Sequence, residues 1–184
     1  MKIHFIRIIS RISPVFVFLF LFSCGSSGDQ GQPFSAVPAS RDSIIAFNQQ
    51  IVTSEKQEIE DYIERYRWHM QVTETGLRYM LYQPGTGVLL PPGSLAVIKY
   101  SVNLLNGDLV FKTPPDSLFT FEIGKRKVIS GLEEGIMMMN KGSKAKLIIP
   151  SHLALGLLGD MSKVPTRAVL VCDVELCSFQ PIKK

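Results

Sequence analysis

After Met70 the sequence changes period, and that change restricts the fold more than any other feature. Ile98, Tyr100, Val102 and Leu104 alternate with Lys99, Ser101 and Asn103, which places the apolar residues on one face of an extended strand. The same period returns in Phe119, Phe121 and Ile123, and in Ala145, Leu147 and Ile149 before Pro150. It returns once more in Leu170, Cys172, Val174 and Leu176, opposed by Val171, Asp173 and Glu175. Asn106-Gly107 marks a turn after the first of these strands. Only between residues 131 and 139 does the pattern become helical, with Leu132, Ile136 and Met139 at i, i+4 and i+7. Several antiparallel strands with a single helix predict an α+β domain, a twisted antiparallel sheet wrapped on one short helix.

Upstream of the domain, which is expected over 71–184, Ser54-x-x-Gln57 fits a capping box. Ile59, Tyr62, Ile63, Tyr66 and Met70 follow at helical spacing. A helical segment over 42–70 is therefore expected, in two pieces broken near Thr53, with its apolar stripe docked on the chain's own domain. Residues 24–41, rich in Gly, Ser, Gln and Pro, read as a flexible tether.

Residues 1–23 differ in kind. They hold Lys2, Arg7 and Arg11, no acid, and an apolar run from Ile12 to Phe22 interrupted only by Ser13 and Pro14. A basic start, an apolar stretch too short to span a bilayer and a small residue at its end describe a secretory signal. The overall net charge of +4 falls to +1 without this segment, so nucleic acid is not expected as a partner. Leu21-x-Ser23-Cys24 resembles the lipobox of bacterial lipoproteins. That resemblance implies acylation of Cys24, a membrane anchor, and a place in the bacterial cell envelope, on the outer membrane facing the periplasm.

The residues offer little to conventional catalysis. His4, His69 and His152 stand apart, three cysteines show no ligand spacing, and neither Gly-x-Ser-x-Gly nor a phosphate loop is present, so no metal or cofactor is expected. Glu133 and Glu134 are adjacent on the helix, diverge, and read as a solvated first turn. Cys172 and Cys177 point to opposite faces of the last strand, and both are expected as free thiols, Cys172 inward and Cys177 outward.

The order of the segments carries a resemblance. Glu74-Thr75-Gly76-Leu77-Arg78-Tyr79, Gly85-Thr86-Gly87 and Val97-Ile98-Lys99-Tyr100 are similar to the opening of an FKBP-type peptidyl-prolyl isomerase domain. Phe119-Thr120-Phe121-Glu122-Ile123-Gly124, Val128-Ile129-Ser130-Gly131-Leu132-Glu133-Glu134-Gly135 and Ile149-Pro150-Ser151-His152-Leu153-Ala154-Leu155-Gly156 continue it. Val164-Pro165 and the strand 170–176 complete it, so that the resemblance covers 72–179. The wider layout resembles the gliding-motility-associated FKBP-like lipoproteins.

The resemblance implies a rotamase that assists folding of proline-containing envelope polypeptides without nucleophile, cofactor or metal. It implies that the Ile129 N–H holds the substrate carbonyl and that Tyr100, Phe111, Phe119, Val128 and Val164 line the pocket. It also exposes departures. Leu132 stands where the family has Trp, Leu155 where it has Tyr, and Cys172 where it has an inward Phe. The family's Phe-Asp falls on Val110-Phe111 or Phe111-Lys112, and on either alignment the Asp is absent. Retention of Tyr100, Phe119 and Val128-Ile129 favours an active isomerase. The losses favour a non-catalytic binding module with a degenerate pocket. Residues 157–163 are too few for the chaperone insertion of some relatives.

Overall fold

The computed structural model describes residues 41–182; the expectations for the signal segment, for Cys24 and for the tether up to residue 40 lie outside the described residues. Helix α1 (Arg41–Tyr66) leads into strands β1 (Gln71–Val72), β2 (Arg78–Gln83), β3 (Thr86–Leu89) and β4 (Ser94–Leu104). Then come β5 (Leu109–Lys112), β6 (Phe119–Glu122), helix α2 (Ser130–Met137), β7 (Asn140–Lys141), β8 (Lys144–Ile149) and β9 (Leu170–Pro181). The chain is α+β, an antiparallel sheet with one short helix and a helix in front, as its periodicity indicated.

Seven strands form the main sheet in the order β1-β2-β8-β9-β4-β5, with β6 also paired to β4. β4 is the axis. One of its edges pairs with β9 over its full length, from Ser94↔Pro181 to Leu104↔Leu170. Its other edge is divided: Leu95–Ile98 pair with β6 and residues 101–103 with β5. Tyr100 falls in the gap between those partners. Thr113 fills the gap, its N–H donating to the Tyr100 carbonyl at 2.9 Å and its hydroxyl accepting the Tyr100 N–H at 3.1 Å. The side chain of Tyr100 is thereby set between the end of β5 and the start of β6.

Alternation sorts the strands into two apolar faces. Ile98, Val102, Leu147, Ile149, Leu170, Cys172, Val174 and Leu176 form the main core with Leu132, Ile136 and Met139. Two glycines on α2 let it reach the sheet. A Cβ on Gly135 would stand 2.5 Å from Leu147 Cδ1, and one on Gly131 would collide with Ile149 Cγ2. The opposite face carries Ile148, Val169 and Val171, which pack with Ile59 and Tyr62 of α1. Ile63, Trp68 and Met70 surround that second cluster, so the α1 stripe docks on the domain as expected. Tyr66 is exposed but lies against the Tyr62 and Trp68 rings, with centroids at 4.7 and 5.0 Å.

Three expectations need correction. α1 is one continuous helix, not two pieces. Thr53 donates its hydroxyl to the Gln49 carbonyl one turn back at 2.9 Å, and Gln57 reaches forward to Asp61 at 2.7 Å, so neither caps a helix at Ser54. Continuing the backbone ladder through Ser54 satisfies more groups than a cap would. His69 lies past the end of α1, after a turn at Arg67, whose φ is +54°. Glu133 and Glu134 are not a free solvated turn: Glu133 accepts the Gly124 N–H at 2.7 Å, and Glu134 accepts the Thr75 hydroxyl at 2.8 Å. Cys172 is buried and Cys177 half-buried, and both are free thiols.

Candidate functional site

An open cavity of about 1220 Å3 lies where α2 stops covering the inner face of the sheet. Tyr100, Phe111, Phe119, Val128, Ile129, Leu132, Leu155 and Val164 all line it. Cys172 does not. Its side chain is wholly buried in the core, whereas Leu170, two positions earlier on the same face of β9, reaches the cavity. The residue therefore contributes to the support of the wall and not to its surface.

Sequence order scatters these residues, and three local devices gather them. The divided edge of β4 brings Tyr100 against Phe111 and Phe119, with ring centroids 4.8 and 5.5 Å apart. The last residue before α2, Ile129, is extended (φ −62°, ψ 145°), and its carbonyl accepts the Leu132 and Glu133 N–H groups to start the helix. Its own N–H has no partner among the described residues. Finally, Asp160 closes the 160–164 turn, accepting the Val164 N–H at 2.6 Å and the Ser162 N–H at 2.8 Å, which fixes Val164 against the cavity. Those N–H donors hold the Asp160 carboxyl below its ordinary pKa, with the Val164 bond the largest cause. Gly159 makes the turn possible. It has φ +64°, and a Cβ there would collide with the Val164 carbonyl.

The walls are apolar, and their polar groups are few. The Tyr100 hydroxyl makes no hydrogen bond among the described residues; burial, and secondarily the Cys172 thiol, push its pKa upward, so it remains a neutral donor. Glu133 and Glu134 stand at the rim with their oxygens engaged on Gly124 and Thr75. No group of three His, Cys, Asp or Glu side chains that could hold a metal occurs among the described residues. Also among them, no helix is long and apolar enough to cross a membrane.

Inspection of the sequence missed Thr113, Asp160, Met137 and the lining roles of Val102 and Leu170. Val102 and Leu170 were legible as inward strand positions, but their exposure to the cavity depends on where α2 ends. Asp160, two residues before Ser162, is a turn signal that could have been found. Thr113 carries no local signal.

Comparison with known proteins adds the following. Residues 89–177 match the family model of the FKBP-type peptidyl-prolyl cis-trans isomerases. The chain is 39% identical over 107 residues to FK506-binding protein 4 of Dictyostelium discoideum; that stretch is 56% of this chain and 28% of the relative. Its structure is similar to that of FkpA from Escherichia coli, with a TM-score of 0.61 and 27% identity, covering 76% of this chain and 66% of that one. It is also similar to AtFKBP13, with a TM-score of 0.56 and 29% identity, over 60% of this chain and 98% of that one. The chain thus spans less than a third of the Dictyostelium relative and about two thirds of FkpA.

Proposed function

We propose that this chain, which carries an FKBP-type peptidyl-prolyl isomerase domain, catalyses cis-trans isomerisation of X-Pro bonds in polypeptides. Rotation about such a bond is slow because conjugation gives the amide partial double-bond character, with a barrier of roughly 18–20 kcal/mol. The reaction needs neither nucleophile nor metal. It needs a site that prefers the twisted, less conjugated amide to either planar form. Burying the proline ring among Phe119, Val128, Leu132 and Val164 strips water from the imide and removes the hydration that favours the planar, charge-separated resonance form. The Ile129 N–H holds the carbonyl of the residue before proline, and the Tyr100 hydroxyl donates to a second substrate oxygen.

One observation carries this reading: two residues whose donors have no partner among the described residues, Ile129 with its N–H and Tyr100 with its hydroxyl, line one apolar cavity. A second reading, a binding module without catalysis, is favoured by Leu132 and Leu155, which leave the cavity wide and short of polar groups. The two are separated by exchange spectroscopy on the purified protein with a panel of X-Pro peptides. Acceleration above the uncatalysed rate, a matter of tens of seconds, establishes the enzyme; binding without acceleration establishes the module.

The wider role is proposed on the N-terminal segment. Acylation at Cys24 tethers the domain to a bacterial envelope membrane, the outer membrane facing the periplasm, where it assists folding of proline-containing envelope polypeptides. Its layout resembles that of the gliding-motility-associated FKBP-like lipoproteins. Mass spectrometry of the native N-terminus tests the anchor: an unmodified Cys24 refutes it.

A further inference from the structure

A second cavity, of about 530 Å3, lies where α1 meets the domain. Ile51, Val52 and Ile59 of α1 form one side; Val72, Pro150 and Leu157 form the other. Three of these are open to water, Val52 being 68% exposed, Val72 58% and Leu157 67%. Several of the polar groups deepest between the two walls are engaged internally, while Lys56, Glu74 and Arg167 stand around the cleft. The Glu55 carboxylate accepts the Ser151 N–H at 2.9 Å and the Ser151 hydroxyl at 2.5 Å. Arg78 pairs with Glu60 at 2.7 Å and donates to the Gly76 carbonyl, and the His152 ring bonds the Thr75 carbonyl. The exposed apolar side chains are the larger part of what the cleft offers a ligand.

Two observations identify the occupant. The cleft adjoins the first cavity: Thr75 lines both, and the segment 150–157 presents Ala154 and Leu155 to one, Pro150 and Leu157 to the other. The apolar surface is also linear. It continues along α1 through Ile44, Ile45 and Phe47, all exposed, so that from Ile44 to Val52 it runs about 12 Å at the helical rise. An apolar track beside the first cavity suits an extended chain.

We propose that the cleft between α1 and the domain is a second binding site, which takes apolar residues flanking the proline of an extended polypeptide whose X-Pro bond sits in the first cavity. The proposal rests on the prolyl-isomerase reading of that cavity. Docking at two linked sites raises the effective concentration of the proline at the first, so long apolar segments are bound in preference to short ones.

Calorimetric titration with two probes tests it. One is a blocked Ala-Leu-Pro-Phe tetrapeptide, confined to the first cavity. The other is the same core extended at both ends by alternating Val and Ser. Val52→Asp and Leu157→Asp, both on exposed positions outside the first cavity, are expected to weaken the long peptide about tenfold. Both should leave the affinity and isomerisation rate of the tetrapeptide unchanged. Equal affinity of the unsubstituted protein for the two peptides, or a long-peptide affinity that neither substitution alters, overturns the proposal while the isomerase reading stands. If neither peptide binds, both fall. If the protein sediments as a dimer that the substitutions dissociate, with long-peptide binding intact, the cleft belongs to a second copy of the chain and the proposal is overturned.

Discussion

The two faces of the main sheet carry residues of the same kind and come to different ends. On the outer face Ile148, Val169 and Val171 lie under a helix of 26 residues, which brings down Ile59 and Tyr62. Tyr62, Tyr66 and Trp68 pack together there, and Lys146 lies over the Trp68 ring at 5.2 Å. On the inner face the covering helix has eight residues. It seals Leu147 and Ile149 and stops, leaving Tyr100, Phe111 and Phe119 to line open space. An apolar sheet face becomes core or site according to how far its covering helix extends, and the same chain supplies both cases.

That contrast can be broken by experiment, beginning with the largest expected effect. Ile59→Ala should lower unfolding free energy by about 2–5 kcal/mol in denaturant titration, since a fully buried aliphatic side chain leaves a cavity. It should leave kcat/KM for a short X-Pro peptide unchanged; a parallel loss of activity would mean that the two faces are not independent. Tyr100→Ala should do the reverse. Removing the ring and its hydroxyl from the cavity wall should reduce kcat/KM about tenfold to a hundredfold, while losing ring contacts worth about 0.5–1.5 kcal/mol each to Phe111 and Phe119 should cost less stability than Ile59→Ala.

Gly135→Ala sharpens the comparison, because it forces α2 away from Leu147. A loss of about 1–3 kcal/mol in stability is expected from overpacking. Because the helix also bears Leu132, kcat should change with it; an unaltered kcat would show that the cavity does not depend on the seating of α2.

Alkaline pH separates the faces by titration. Burial, with a smaller contribution from Asp173, pushes the Cys172 thiol on the inner face up to about 12. On the outer face burial first, and then Tyr66, raise Tyr62 to about 12. Both folded values exceed the unfolded ones, near 8.5 for Cys and 10 for Tyr, so the unfolded chain releases protons that the folded chain keeps. Stability is therefore full below about pH 8.5 and declines as pH rises toward 12. Melting temperature should fall between pH 8.5 and 10 through Cys172 and more steeply above 10 as Tyr62 joins. Cys172→Ala should flatten the first part of that slope and lessen the second, leaving there the share of Tyr62.

Much of this was legible from residues in order. The alternation in 98–104, 119–123, 145–149 and 170–176 located strands that exist, and Leu132, Ile136 and Met139 located the inner helix and its buried face. Eight of the nine residues expected at the pocket line it. Cys172 failed because facing inward and facing the cavity are different conditions on that strand, and only the position of α2 distinguishes them. The break near Thr53 failed because a capping pattern is equally compatible with a helix interior when tertiary packing favours continuity. The bonds of Glu133 to Gly124, of Glu134 to Thr75 and of Glu55 to Ser151 join loops distant in sequence, and no local pattern announces them.

By itself the sequence determined four of the strands, the existence of two helical segments and which side of each is apolar, since these follow from periods of two and 3.6 residues along a single stretch of chain. Only the tertiary structure decided which apolar surface is filled and which stays open. That outcome depends on the reach of α2 between Gly131 and Gly135, on the divided edge of β4 at Tyr100, and on the course of α1 past residues 150–157. Each is a relation between segments far apart in the chain, and packing, not periodicity, sets it.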